Sequence, residues 1–420
     1  MNLSNKSKLL ILGGKPIGSC EIVEKAKELG IYTIVSDYLS VENSPAKRIA
    51  NEHWSISTNE IDVLKEKCIE NNVTGVIAAV HEFNIAMAIK LNELLGFNNV
   101  CSYDTWIHFL NKQNFKKLCI ENNLQVAKTY SYDEKETIEF PVITKPIDGS
   151  GSRGFSVCHD ITELEAGYKN ALKFSESKNV LIEEYIPYNS VIIHYTIVDG
   201  KAIYSGMSDK KSMQLANNAG SVMALQVFPS INEKAYLDKC DKKMQNLIQD
   251  AGFKNGVLWI EAFNNYDTFI FNEIGYRFGG SLTYYPVKYF TQFNQLNMLV
   301  KFAIGEQIST PESYKYQNQN KKYAILPLHV KPGKIKCING IDKIKQMQNV
   351  YAYVPVHFVG DTIENWASAQ QVLCYIHILF DTYSDLKITV KQILEELKVL
   401  DENNQEQLFC LYDINQLKDS

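Results

Sequence analysis

The chain reads as a multidomain protein of the α/β and α+β classes, with a doubly wound parallel sheet first, mixed α+β domains next and a strand-rich C-terminal part. Three observations predict this. Its 420 residues exceed what one ordinary core holds. The first hundred residues alternate short apolar strands with amphipathic helical segments, the pattern of a parallel sheet. Two β-like runs, 257–262 and 268–274, flank the polar turn Asn264-Asn265-Tyr266-Asp267 and read as a hairpin.

Composition narrows the class. Hydrophobic content of 45% with 22% charged residues is that of a globular protein. The net charge of −5 and the absence of a basic run argue against a nucleic-acid or anionic-membrane footprint. The apolar run in MNLSNKSKLLILGGKPIG is too short for a secretory signal, and no stretch approaches a membrane span. Nine scattered cysteines without CxxC spacing favour reduced thiols over a disulfide framework or zinc site, so a cytoplasmic protein is expected.

The first strand, 8–12, ends in Gly13-Gly14. A helix follows with Ile22, Val23, Ala26 and Leu29 on one face, then a strand over 31–35 that ends at Asp37. GGKPIG lacks GxGxxG spacing, so this β-α-β unit is read as architectural rather than dinucleotide-binding. A helical segment at 61–69, a strand at 75–80 and a helix to Leu95 repeat the pattern. His81 and Glu82 sit at the carboxyl end of the last strand, where they either line a ligand cleft or cap the next helix. The domain is placed at 1–105.

Residues 106–320 form the second expected domain, with a nucleotide-binding subdomain at about 125–195. Asn111-Lys112 opens a helix, and the strand FPVITK ends on Lys145. DGSGSRG, 148–154, follows: Ser150, Gly151, Ser152 and Gly154 make a loop whose N–H groups could close over phosphates, or an ordinary Gly/Ser turn. It is not a Walker loop. VLIEEYI, 180–186, reads as a strand leading to Pro187, able to offer backbone groups to a base edge.

The hairpin carries the sharpest signal. Side chains two apart on a strand share a face, and Glu261 and Glu273 interrupt otherwise apolar runs. Two buried carboxylates brought together repel each other unless a cation lies between them. Mg²⁺ suits such a pair, because it prefers oxygen ligands and is held by one or two carboxylates plus substrate phosphates. Arg277 beyond them could grip carboxylate or phosphate oxygens, and Gly279-Gly280 would let backbone N–H groups approach an anion. Taken singly, each residue also fits an exposed amphipathic hairpin.

The order of these pieces resembles the ATP-grasp superfamily, especially its carbamoyl-phosphate-synthetase-like and biotin-carboxylase-like ligases, from about Lys8 to the end of the chain. The most specific likeness is the Glu261-to-Glu273 spacing followed by Arg277. The resemblance implies ATP and Mg²⁺ as cofactors, with Mn²⁺ as a possible substitute. It implies that Glu261 and Glu273 hold the metal and that Arg277 and Lys145 are catalytic. Lys112 and Lys145 would then bind phosphates under a loop of Ser150, Gly151, Ser152 and Gly154, with Glu183, Glu184 and Ile186 at the adenine hinge. Lys210, Arg277, Gly280 and Ser281 would face the acceptor. Two positions depart from the family pattern: Gly275 stands where an Asn ligand is usual, and Ser190 near where a ribose-binding Glu is common.

The implied activity is an ATP-dependent carboxylate-amine ligase working through an acyl phosphate, on a small-molecule carboxylic acid and amine, and a homodimer is compatible with it. The alternatives are a kinase of bicarbonate or carbamate and a nucleotide-binding module with impaired catalysis. Residues 321–420 are expected to form a strand-rich support or lid domain with an amphipathic helix at 389–400 and no catalytic group.

Overall fold

The computed structural model describes residues 7–147, 154–214, 221–308, 321–364, 371–410 and 412–417. The fold class is the expected one. The N-terminal sheet is parallel, in the order β3-β2-β1-β4, built from β1 (Lys8–Leu12), β2 (Tyr32–Ser36), β3 (Glu52–Trp54) and β4 (Gly75–Ala78). Its crossovers include α1 (Ser19–Glu28) and α2 (Ile61–Glu70), and α3 (Glu82–Leu95) starts four residues after β4. Leu9 to Leu12 are fully buried, as strands covered on both faces require. Asp37 is buried and paired with Lys47 at 2.9 Å while accepting from the Gly14 N–H at 2.7 Å, so it stabilises the glycine turn.

After α4 (Tyr103–Leu110) and α5 (Lys112–Glu121) come β5 (Gln125–Val126), β6 (Thr129–Tyr130), β7 (Val142–Pro146), β8 (Ser156–Cys158), α6 (Ile161–Phe174) and β9 (Val180–Glu184). Strands β6-β9-β7-β8 form a small antiparallel sheet with its own core around Val142, Leu164 and Ile182.

The large sheet is the frame of the molecule. Its central strands are β10 (Asn189–Val198), β11 (Lys201–Gln214), β12 (Ser221–Phe228), β13 (Gly256–Asn265) and β14 (Thr268–Gly275), in the order β12-β11-β10-β13-β14, with β5 parallel to β14 at one edge. Residues 205–214 and 221–228 belong to the pair β11 and β12. Beyond β12 the same sheet continues through β15 (Lys322–Val330), β19 (Val372–Phe380) and β17 (Val350–Pro355). C-terminal strands therefore extend the central sheet directly.

One face of β10 and β13 packs Val191, Ile193, Tyr195, Leu258, Ile260 and Ala262 into a core with Trp106, Phe115 and Phe253. Period-two alternation turns Ser190, Ile192, His194, Trp259, Glu261 and Phe263 to the other face, which lines a cleft. The helix expected at 389–400 runs instead over Tyr383–Glu396. It starts earlier because Thr382 and Asp385 form a capping box, and it stops before the strand Lys398–Asp401, whose residues pair with Gly333–Asn339.

Candidate active site

The cleft has a volume of about 630 Å³ and lies between the small antiparallel sheet, the large sheet and the start of α3. Its floor is a set of cross-strand rows. Ser190 lies opposite Phe263, Ile192 opposite Glu261, and His194 opposite Trp259. On the far side of β13, Glu261 faces Glu273 and Trp259 faces Gly275. Rows two residues apart are separated by about 7 Å. The cleft thus has a row at Ser190 and Phe263, a carboxylate row and a third row beyond it.

In the carboxylate row the two acids expected to converge are directly paired across the hairpin. The ladder slips one register between Glu261 and Ala262, where Ala262 pairs with Phe271, so Asn272 is the extra residue of a β-bulge. A regular strand would turn Asn272 away from the side that carries Glu273. The bulge lets both line the cleft, and Asn272 Oδ1 accepts from Lys145 Nζ at 3.2 Å. An amide oxygen therefore stands beside the acids even though position 275 is glycine. Gly275 itself is dictated by packing: a Cβ there would come within 2.3 Å of the Trp259 indole.

The acids are already met by cations. Lys210 Nζ lies 2.8 Å from Glu261 Oε1, and Lys112 Nζ lies 3.9 Å from Glu273 Oε1. Burial would raise the Glu261 carboxyl, but Lys210, the Ser190 hydroxyl and Lys145 outweigh it and hold it below the ordinary range. Ser190, near the position where the resemblance would put a ribose-binding Glu, thus hydrogen-bonds Glu261. Two carboxylates, one of them held ionised, with a neighbouring amide oxygen form an all-oxygen set that suits Mg²⁺ completed by phosphates and water. Among the described residues there is no group of three His, Cys, Asp or Glu for a softer, protein-caged metal.

Behind this row lies a buried cluster. Glu183 is 1% exposed and bridges Lys145, at 2.7 Å, and Lys116. Its carboxylate therefore compensates both lysines, since an unpaired pair of buried ammonium groups would be costly, and the residue also lines the cleft. Burial, with Lys112 and Lys116 nearby, lowers the Lys145 ammonium to about 7. Burial likewise lowers Lys116 to about 8. Lys116 went unassigned in the sequence, although its i, i+4 spacing from Lys112 on one helix face was a usable signal.

At the end of the cleft beside Ser190, Ala127, Ile143, Val157, Ile186 and Phe263 supply apolar walls. The Glu184 N–H already donates to the Lys128 carbonyl, so it is not available to a base. Gly154 is buried, while Ser150, Gly151 and Ser152 lie outside the described residues.

The third row holds Trp259 and His194. Arg277 stacks on Trp259, its Cζ 5.4 Å from the ring, and donates through Nη2 and Nε to Glu82 Oε1 at 2.8 and 3.3 Å. Glu82 is the first residue of α3, so the N-terminal sheet delivers an acid to the cleft; of the two roles open in the sequence, the cleft one is realised. Gly280 faces the Tyr375 hydroxyl, 3.8 Å from where a Cβ would stand, and buried Ser281 lies 3.5 Å from Gln226 Oε1. His194, Trp259 and Gln226 were not singled out from the sequence. Nothing short of strand register could place them.

The cleft is thus floored by an antiparallel sheet, roofed by a small sheet and marked by paired carboxylates beside buried lysines. Residues 110–223, which include Lys112, Lys116, Lys145 and Glu183, match the carbamoyl-phosphate synthase L chain, ATP-binding domain. A relative from Francisella tularensis subsp. tularensis (strain WY96-3418), a formate-dependent phosphoribosylglycinamide formyltransferase, is 27% identical over 290 residues, which span 66% of this chain and 72% of the relative. The L-amino acid ligase of Bacillus licheniformis superposes with a TM-score of 0.76 at 18% identity, covering 95% of this chain and 99% of that one. The biotin carboxylase domain of the Hydrogenobacter thermophilus 2-oxoglutarate carboxylase, solved with MgADP and bicarbonate, gives a TM-score of 0.76 at 16% identity over 96% and 91%. These structural likenesses establish the shared fold over nearly the whole chain. No helix among the described residues is long and apolar enough to cross a membrane.

Proposed function

We propose that the protein is an ADP-forming ATP-grasp ligase that activates a small-molecule carboxylate and joins it to an amine. The observation that carries this reading is the direct pairing of Glu261 with Glu273 beside Asn272, Lys112 and Lys145. Glu261 and Glu273, with the Asn272 amide oxygen beside them, would hold Mg²⁺, which would supply charge neutralisation on the polyphosphate. Lys112 and Lys145 hold phosphate oxygens, with Glu183 fixing Lys145 from behind. Ile186 and the apolar walls seat the base. Arg277 holds the acceptor carboxylate. One of that carboxylate's oxygens attacks the γ-phosphorus as the bond to the ADP oxygen breaks, and the same guanidinium stabilises the charge that develops. The amine then attacks the carbonyl carbon of the acyl phosphate, phosphate leaves, and the amine proton passes to solvent. Such transfer needs positioning and electrostatics rather than a protein nucleophile.

A screen of carboxylic acids and amines for acceptor-dependent ADP release, with hydroxylamine as a trap, tests the reading. An acid-dependent hydroxamate is the expected result. ADP release that depends on bicarbonate alone would replace it with the kinase reading.

A further inference from the structure

The acceptor is described only by class in this reading, and the third row of the cleft says more. Each lysine or arginine lining the cleft among the described residues already has an acid: Lys112 has Glu273, Lys145 has Glu183, Lys210 has Glu261 and Arg277 has Glu82. The acids of the first three belong to the metal and phosphate machinery. At the acceptor end the charge balance is therefore one guanidinium and one carboxylate.

That last pair is not sealed. The Arg277 side chain is 18% exposed and that of Glu82 35%, and both line the cleft. All contacts from Arg277 to Glu82 go to the single oxygen Oε1, in place of the two-oxygen fork a guanidinium prefers with a carboxylate. The surrounding wall is neutral. Trp259 carries an indole N–H without a protein partner, and His194, 3% exposed, has an unpartnered Nε2. Burial pushes its imidazole to about 3, so it brings no charge at neutral pH. Met223 and Tyr375 line the same cleft.

Building on the ligase reading, we infer that this subsite takes a free α-amino acid with an uncharged, apolar side chain: Arg277 receives the carboxylate, Glu82 the ammonium, and Trp259 with Met223 the side chain. A zwitterion inserted between Arg277 and Glu82 satisfies both charges and leaves no net charge to compensate. A phosphomonoester at this end would bring a second negative charge against a pair whose only cation is shared with an acid, so phosphorylated amines are excluded from the subsite. The indole N–H and the neutral His194 Nε2 stand where an ordered water or the substrate's backbone polar groups can meet them.

Binding to the full chain, measured by calorimetry with the non-hydrolysable analogue AMP-PNP and Mg²⁺ present, tests this with four probes. Leucine is expected to bind. N-acetyl-leucine, which lacks the ammonium, and leucinamide, which lacks the carboxylate, should each bind about tenfold or more weakly, the scale of one lost charged hydrogen bond. Ribose 5-phosphate should not compete. Glu82→Gln should weaken leucine about tenfold while N-acetyl-leucine binds as well as before or more tightly, because Arg277 loses its competing acid, a pattern that general misfolding does not give. Equal affinity for leucine and N-acetyl-leucine, or tighter binding of ribose 5-phosphate, would overturn the assignment. The ligase reading fails separately. Leucine that binds as expected but supports no ADP release with any amine would remove the ligase and keep the subsite, whereas ADP release with other acids and no leucine binding would do the reverse.

Discussion

The two ends of the cleft stand on the same strands, yet they are built on opposite plans. Where Glu261 and Glu273 pair, the cleft is dense with charge: four lysines and three glutamates surround the carboxylate row, several of them buried. About 7 Å along the same ladder, at Trp259 and His194, it is aromatic and neutral apart from one exchangeable ion pair. On the proposed reading the first end meets phosphates and a divalent cation in every turnover, so it can be built from buried, mutually paired charges. The second end must admit and release its ligand, and a compensated, partly exposed pair with apolar walls does so without stranding a charge.

The largest effect expected from this contrast concerns Glu183. Replacing it by Gln leaves Lys116 and Lys145 buried without a counter-charge and should destabilise the fold by about 3–5 kcal/mol, read as a drop in the denaturation midpoint. The Arg277 pair is partly exposed, so Glu82→Gln should move that midpoint far less. If the two variants are equally stable, the distinction between a permanent and an exchangeable pair fails.

On catalysis, Glu273→Gln should lower kcat by about 10²–10³-fold while the far-ultraviolet circular dichroism is unchanged, the scale of losing one transition-state electrostatic partner. Unchanged turnover would remove the carboxylate row from the chemistry.

Gly275 sharpens the boundary between the rows. Gly275→Asn restores the oxygen ligand usual in the family but drives a side chain into Trp259, so it should cost about 1–3 kcal/mol of stability. Trp259→Ala in the same chain should relieve most of that loss. A Gly275→Asn protein as stable as the parent would show that the indole is not what excludes a side chain there.

The smallest effect is a linked protonation. Lys145 and Lys116 are lowered to about 7 and about 8, so near pH 8 both are partly deprotonated in the free protein. Bound polyphosphate favours the ammonium forms and raises both values, so nucleotide binding at that pH takes up protons. The uptake should shrink at lower pH, where the ammonium groups are already formed. Calorimetry in two buffers of different ionisation enthalpy measures it, and proton release on binding would contradict the sign.

Much of the charged end was legible because its chemistry rests on residue type. Acids that interrupt apolar alternation, a lysine ending a strand and an arginine before paired glycines are visible without coordinates, and the hairpin places Glu261 opposite Glu273 as the pattern implied. The bulge at Asn272 was not legible, because a one-residue slip leaves no mark in an alternating pattern. Lys116 was within reach, four residues from Lys112 on one helix.

The strand-helix order of the N-terminal parallel sheet and the carboxylate hairpin were determined by the sequence alone, because local periodicity and turn chemistry act over a few residues. What only the tertiary structure decided are the meetings of distant segments: Glu82 with Arg277, Glu183 between Lys116 and Lys145, Trp259 over Gly275 and beside His194. Those depend on strand register and on how one sheet leans against another. A single-residue change in the register of the hairpin strand 256–265 would turn Trp259 and Glu261 from the cleft into the core.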